Sequence, residues 1–447
     1  MAHGHSHLPG EDDTEVLTSP RARGVVWGVL GVVAVATIVG LVTLWPRDQV
    51  SVGLDIGFGA ELVDATVSRV ELVPCSGVGD AATVRCELIS ARVTSGSVRG
   101  ETGAFELFPS AGTPRLERGD DIVLSYSPDV PDEFAYQFAD FQRTNPMLWL
   151  AALFAVAVIA LGRWKGVRAL LGVGISLVVI VTFLLPALLL GDPPILLALV
   201  ACSAIAYLAL FLAHGFNERT AVALLGTLIA LGLTGALAVL FVGLTRITGL
   251  ASEEVLLLQA SSGIIDFEGL LLAGIMIGAL GVLDDVTVTQ VAAVWELKLA
   301  DRRFGAWELY RRAVNIGRDH IASVVNTLAL AYAGAALPLL LLFTQAQRSF
   351  TDVVTGEAVA MEVVRTLVGS IGLVAAVPIT TGLAALVIAG ATVPVEGGGG
   401  RRRGRRRDPF WGDAVWDDDE DDEDEPASEA GDQDDGADEE HRETWEG

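Results

Sequence analysis

Apolar runs about as long as a bilayer is thick recur along this chain, and they restrict its fold more than any other feature. A hydrocarbon core of about 30 Å takes roughly 20 helical residues to cross. Eight runs approach that length: 24–44, 147–162, 167–190, 194–213, 220–243, 268–283, 322–343 and 366–391. Of the 447 residues 51% are hydrophobic, more than a soluble domain usually carries. The expected fold is an α-helical integral membrane protein of about eight transmembrane helices. The runs 147–162 and 268–283 are short, which leaves tilting, extension or partial re-entry open to them. The first run follows Arg21 and Arg23 as a secretion signal would. It is too long for one, and Trp45, Pro46 and Arg47 after it offer no small-residue cleavage pattern, so it reads as an uncleaved anchor.

Lys and Arg in the short loops set the orientation. The loop "GRWKGVR" (162–168), Arg219, the stretch 298–318 and the tail "RRRGRRR" (401–407) fall on one side, whereas the turn "GDPP" (191–194) has no basic residue. The basic side is the expected cytoplasmic one, and an even number of spans puts both termini there. The net charge of −26 is a local property: residues 408–447 hold 20 of the 56 acids and one arginine.

These features divide the chain into a disordered cytoplasmic N-terminus (1–23), a first helix (24–44), a soluble block (45–146), a seven-helix membrane domain (147–391) and a tail (392–447). The N-terminal "HGHSH" (3–7) reads as incidental histidine in a flexible segment, with no cysteine nearby to complete a metal site. The soluble block has a β texture: "ATVSRVEL" (65–72), "TVRCEL" (83–88), "SARVTSG" (90–96) and "DDIVLSY" (120–126) alternate and are separated by turn residues. It is therefore expected as a small β-rich extracytoplasmic domain between helices 1 and 2. Cys75 and Cys86 bracket a turn-like stretch in an oxidising compartment, which favours a disulfide over a metal site. Cys202, inside the fourth span, reads as a packing residue. The tail lacks the apolar residues needed to fold. Its arginines 401, 402, 403, 405, 406 and 407 (Arg401, Arg402, Arg403, Arg405, Arg406, Arg407) sit next to the membrane, where they could hold anionic lipid headgroups.

Three stretches place polar groups in or near apolar runs. In "GALGVLDDVTVTQ" (278–290), Gly274, Gly278 and Gly281 recur at helical spacing and Asp285 continues their face toward the bundle interior, with Asp284 about 100° away. The functional reading is a cation or proton site at a cytoplasmic vestibule, with Thr287, Thr289 and Gln290 as oxygen donors. The plainer reading is a helix end whose acids pair with Arg302, Arg303 or Arg318. From Asp285 the helix is expected to run on, with Thr289, Ala292 and Glu296 as a polar stripe and Val288, Val291 and Trp295 as an apolar one. In "NIGRDHIASVVNTLALAYAGAALPLLL" (315–341), Asp319 and His320 stand at the cytoplasmic entrance of the span and Asn326 and Thr327 within it; a membrane Asn usually bridges helices or else lines a path. In "VPITTGLAAL" (377–386), Pro378 removes a backbone bond beside Thr380, Thr381 and Gly382, as in a bent transport helix or a simple kink.

No catalytic residue, cofactor or metal is expected. Asp284 and Asp285 diverge, so they cannot form an aspartyl protease pair, and Asp266 lies about 28 Å away along the same helix. P-loop, HExxH and GxSxG signatures are missing from the sequence, which removes support for built-in ATP-driven transport and for the common hydrolases. No nucleic-acid partner is expected, and the oligomeric state is left open.

The three stretches "GALGVLDDVTVTQ", "NIGRDHIASVVNTLALAYAGAALPLLL" and "EVVRTLVGSIGLVAAVPITTGLAAL" (362–386), in this order, resemble the YibE/F family of bacterial multi-pass membrane proteins. The segment "LERGDDIVLSY" (116–126) is similar to what precedes the helical part in that family, and the resemblance covers most of 50–390. It implies a protein of the bacterial cell membrane with a permease-like character, and no assigned substrate or catalytic residues. The acidic tail, the histidine-bearing N-terminus and "DDVTVTQ" in place of a lone Asp followed by small and Met residues depart from it. The expected function is passage of a small solute or ion without an ATPase; the rival is a non-transporting scaffold or sensor that binds a partner through the extracytoplasmic domain.

Overall fold

A computed structural model describes residues 19–47, 61–75 and 85–391, apart from 111, 129, 132–133, 252, 262–264 and 346–348. The histidines at 3, 5 and 7, the arginines at 401–407 and the acidic tail lie outside the described residues.

Helix α1 (Pro20–Thr43) starts where the Ser19 hydroxyl accepts the Ala22 N–H, with Pro20 at the first helical position. A five-stranded antiparallel sheet follows: β1 (Glu61–Pro74), β2 (Arg85–Val93), β3 (Thr102–Leu107), β4 (Asp121–Tyr126) and β5 (Tyr136–Phe141), in the order β3-β2-β1-β4-β5. The expected strands 83–88 and 90–96 form one strand, β2, because Ile89, Ala91 and Val93 keep one inward alternation across the join. Along β1, residues 61–66 pair with β4 and residues 65–74 with β2, and a bulge between Val67 and Arg69 interrupts the β2 ladder. The sheet curls until its edges approach. Tyr136 of β5 stacks over Gly103 of β3, where a Cβ would meet the ring at 2.7 Å, and donates its hydroxyl to Glu101. Val63, Val67, Ile89, Phe105, Ile122 and Leu124 fill the concave face. Cys75 and Cys86 are disulfide-bonded at the end of the β1–β2 pair where the chain passes from one strand to the other, as the sequence led us to expect.

The remaining elements are helical: α2 (Thr144–Val179), a π-helical turn (Ile180–Leu184), α3 (Leu185–Leu189), α4 (Pro194–His214), α5 (Glu218–Thr245), α6 (Glu253–Ser261), α7 (Phe267–Ala300), α8 (Ala306–Ala335), α9 (Leu337–Gln345), α10 (Phe350–Thr355) and α11 (Glu357–Ala389). Pro186 has no N–H to return to Thr182, which accounts for the widened turn before it. Asn217 and Asp266 cap α5 and α7, accepting from Thr220 N and Gly269 N. Among the described residues, six helices are long and apolar enough to cross a membrane, which makes this a multi-pass membrane protein.

The expected count of eight is thus not what length and apolarity alone return. The runs 147–162 and 167–190 lie on one 46-residue helical stretch, Thr144–Leu189. It is broken at Arg163 (φ 48°, ψ −126°), and the chain doubles back far enough for Gly166 to rest on the Val158 carbonyl. The short run 268–283 is extended, since α7 continues unbroken to Ala300 with Glu296 exposed and Val291 and Trp295 buried. The run 322–343 is divided between α8 and α9, and α8 opens with Arg311, Arg312, Arg318 and Asp319, so it is amphipathic rather than apolar.

Apolar burial drives little in lipid, where helices associate through close packing and hydrogen bonds. The centre of the bundle shows this. Helices α5 and α11 run antiparallel and exchange a threonine for a glycine twice: Thr380 fills the space over Gly226, and Thr234 fills that over Gly372. Helix α7 lies against both through Leu280, Leu283, Val294 and their neighbours. At one end of the bundle Arg23 pairs with Glu218 at 3.3 Å, Arg219 with Glu296 at 3.5 Å, and Gly390 approaches Ser19. At the other, Glu357 accepts from Thr248 N, Thr248 Oγ1 and Gly249 N, and Gly249 (φ +79°) backs onto the Phe267 carbonyl. The starts of α1 and α5 and the end of α11 therefore share one end. Helix α8 runs antiparallel to α7: its Gly317 packs against Gln290 and its Tyr332 reaches Gly278.

Candidate functional site

The polar residues of the bundle gather on α7 and on the faces of α5 and α11 turned toward it. Asp284, Thr287 and Gln290 follow one another at three-residue spacing, so they wind slowly round α7 from α4 toward α5 and then α11. Thr287 Oγ1 lies 2.7 Å from Thr227 Oγ1 of α5, and Thr227 also stands beside the Asp284 carboxyl. Gln290 Oε1 accepts from Thr381 Oγ1 of α11 at 3.0 Å. Thr227, Thr287, Gln290, Thr380 and Thr381 are fully buried.

This line of groups is incompletely bonded. Asp284 Oδ1, Gln290 Nε2 and Thr380 Oγ1 are buried and have no hydrogen-bond partner among the described residues. Proteins seldom leave buried polar atoms unpaired, since each costs about 1–3 kcal/mol. They lie at different contacts of α7 and α11, and His320 Nε2 on α8 and Arg365 Nε on α11 are two more such atoms; a polar site with enough room can take up water.

Asp284 also meets a cleft of about 240 Å³ between α2, α4 and α7, lined by Ala169, Gly172, Ser176, Ala209, His214 and Asp285 among others. Glycine and alanine on α2 and α4 leave this room. His214, the last residue of α4, and Asp285 are the cleft's other titratable groups. The carboxylate is not at the helix boundary that the sequence suggested. Glu296, which pairs with Arg219 at the bundle's end, is twelve residues further on, so Asp284 lies about 18 Å deeper.

The two aspartates have the reverse of the expected orientations. Asp284 turns inward, whereas the Asp285 side chain is 73% exposed and faces His320 Nε2 at 4.0 Å. Gly274 and Gly281 have nothing within 4 Å of where a Cβ would stand and Gly278 meets only the Tyr332 hydroxyl of α8 at 3.4 Å, so the glycine face is loosely packed. The larger Leu280, Leu283 and Val286 determine which side of α7 is buried. Asp285 faces His320 rather than one of the arginines suggested as partners, and Lys298 Nζ is bound to the Arg302 and Phe304 carbonyls.

Of the other expected positions, Thr287, Gln290 and Thr380 join Asp284 in the interior. Thr289, Asp319, Asn326, Thr327 and Pro378 are exposed on the outer faces of their helices. Thr289 and Thr327 bond back to the Asp285 and Ser323 carbonyls. Among the described residues Asn326 neither bridges helices nor lines the interior, because Gly317 and Ala313 on the opposite side of α8 make the packed contact. Sequence reasoning missed Thr227 and His214. The threonines at 220, 227 and 234 are all buried and recur every seven residues on α5, a polar seam legible in the sequence. Cys202 is buried and free. Among the described residues no cluster of His, Cys, Asp and Glu could hold a metal ion.

A family model described as YibE/F-like protein matches residues 150–390, more than half of the chain, and the site lies wholly within that span. No curated protein and no solved structure matches.

Proposed function

The chain belongs to the YibE/F-like family, and from that premise we propose that it passes a small solute or ion across the bacterial cell membrane, through the cleft at Asp284 and the polar seam of α5, α7 and α11. The observation that carries this reading is the set of unpaired buried atoms on Asp284, Gln290 and Thr380, at a depth where lipid offers nothing to bond. An ion or proton could enter by His214 and Asp285, be held by the Asp284 carboxylate and move on past Thr227, Thr287 and Gln290. Without a nucleotide motif, the driving force is an ion gradient or the solute's own gradient.

The crossing count belongs to this reading. The break at Arg163 makes two crossings of the 46-residue stretch, and α8 with α9 makes the return from α7 to α11. Eight crossings put both ends of the membrane region on one side, which the basic loops assign to the cytoplasm, and they place the β-sheet outside. Purified protein in liposomes, given a panel of ions and small solutes, tests the function. Flux that Asp284→Asn abolishes and Asp285→Asn leaves largely intact supports it; wild-type liposomes that pass no solute reject it.

A scaffold or sensor is the second reading, favoured by a sheet with its own core and disulfide, more than a minimal carrier needs. It requires a membrane complex that is lost when residues 46–145 are deleted, together with no flux.

A further inference from the structure

We propose that the exposed face of α8 is the seam along which two copies of this chain pair, with the Asn326 side chains bonded to each other across a two-fold axis normal to the membrane. Helix α8 has one packed side. Leu309, Ala313 and Gly317 are buried, and a Cβ on Gly317 would come within 2.6 Å of Val377 and 2.8 Å of Gln290 Nε2. Asn326 is nine positions on, about 180° round the helix, and exposed.

Its depth makes that exposure unusual. Val325 packs in a cluster with Val286 and Leu373, and Tyr332, further along, touches Gly278. Asn326 therefore stands level with Val282 and Val286, near the middle of α7. There a carboxamide facing acyl chains has two donors and an acceptor without partners, a state that membrane helices relieve by hydrogen bonding to one another.

The chemistry of the face selects its occupant. Two copies insert in the same direction, so a two-fold pair brings each α8 position against itself in a parallel contact. Asparagine satisfies its own copy by donating and accepting at once. Along the same face Asn315, Asp319, Ala322, Asn326, Ala329 and Ala333 recur at alternating four- and three-residue steps, all exposed. That is the period of a helix pair, and the three alanines let the backbones come close. Asp319 is the one like-charge contact. It lies toward the bundle's end, and Arg318 beside it, bonded to Asn315 at 3.3 Å, can answer the partner's charge.

Single cysteines in the full chain, with Cys202 replaced by alanine, test this in native membranes. Oxidation is expected to cross-link Asn326→Cys and Ala329→Cys into a species of twice the chain mass, but not Leu177→Cys on the exposed face of α2. Asn326→Leu is expected to weaken association about tenfold in detergent, and Asn326→Gln to retain it. Three results each overturn the proposal: a wild-type particle of one chain mass in lipid nanodiscs, a cross-linked product of another mass, or modification of the 326 thiol by a membrane-impermeant reagent.

Discussion

The sheet and the three-helix centre of the bundle bury their side chains by opposite rules. In the sheet, Val63, Val67, Ile89, Ile122 and Leu124 are almost wholly hidden and all apolar. In the bundle, Thr227, Thr234, Thr287, Gln290, Thr380 and Thr381 are hidden as completely. Among the described residues, every buried polar atom without a partner lies on a helix. A core that only holds a shape has no use for groups that cost free energy to bury. The bundle keeps them, and the family match covers that region and not the sheet. On the proposed reading, the contrast corresponds to transport by the helices and support by the sheet.

The largest effect that would break this contrast is on flux. Asp284→Asn keeps the shape and removes the charge, and is expected to lower transport to the level of empty liposomes while residues 61–141 keep their resistance to protease. Equal loss of both would mean that the carboxylate is structural. The converse change comes next. Ile89→Ala empties part of the sheet core, costs about 2–5 kcal/mol there, and should hasten proteolysis of 61–141 while leaving flux per inserted molecule unaltered. Within the bundle, Gly226→Val puts a side chain where Thr380 sits, and overpacking costs about 1–3 kcal/mol, read as a lower unfolding temperature in detergent. A normal unfolding temperature would show that α5 and α11 are less tightly meshed than their exchanged threonines imply.

The smallest effect is acid sensitivity of the sheet. Ser97, bonding through its hydroxyl and its N–H, holds the Glu61 carboxyl below the usual carboxylate range, and Arg143 does the same for Asp140. Because both values are lowered on folding, the stability they add is present above the unfolded carboxylate pKa and is lost as pH falls through the folded values. Both groups are solvent-exposed, so hydrogen exchange of β1 and β5 should quicken only slightly below about pH 4. Glu61→Gln should remove the β1 part of that response.

The apolar runs, the inward alternation of the strands and the disulfide were legible because each rests on a local period or pairing. What failed needed neighbours. A glycine stripe marks either a close helix contact or open space, and only the bulk at Leu280, Leu283 and Val286 shows that α7 buries its other side. For the same reason the sequence points to Asp285, and not Asp284, as the inward carboxylate. Helix α8 escaped an apolarity criterion because charges cluster in its first turns, whereas its antiparallel course along α7 is a tertiary fact. The seven-residue threonine repeat on α5 was available in the sequence. It becomes meaningful only beside Thr287 and Gly372, from helices far along the chain.

A density map of the protein in a lipid nanodisc, sharp enough to show water, bears most directly on the idea that a wetted path reaches the middle of the bundle. Ordered water or an ion within hydrogen-bonding distance of Asp284 Oδ1, continuous with the solvent beyond His214, is the expected result. Acyl-chain density filling the cleft, or side chains closed over that oxygen with no polar atom near it, would contradict the account.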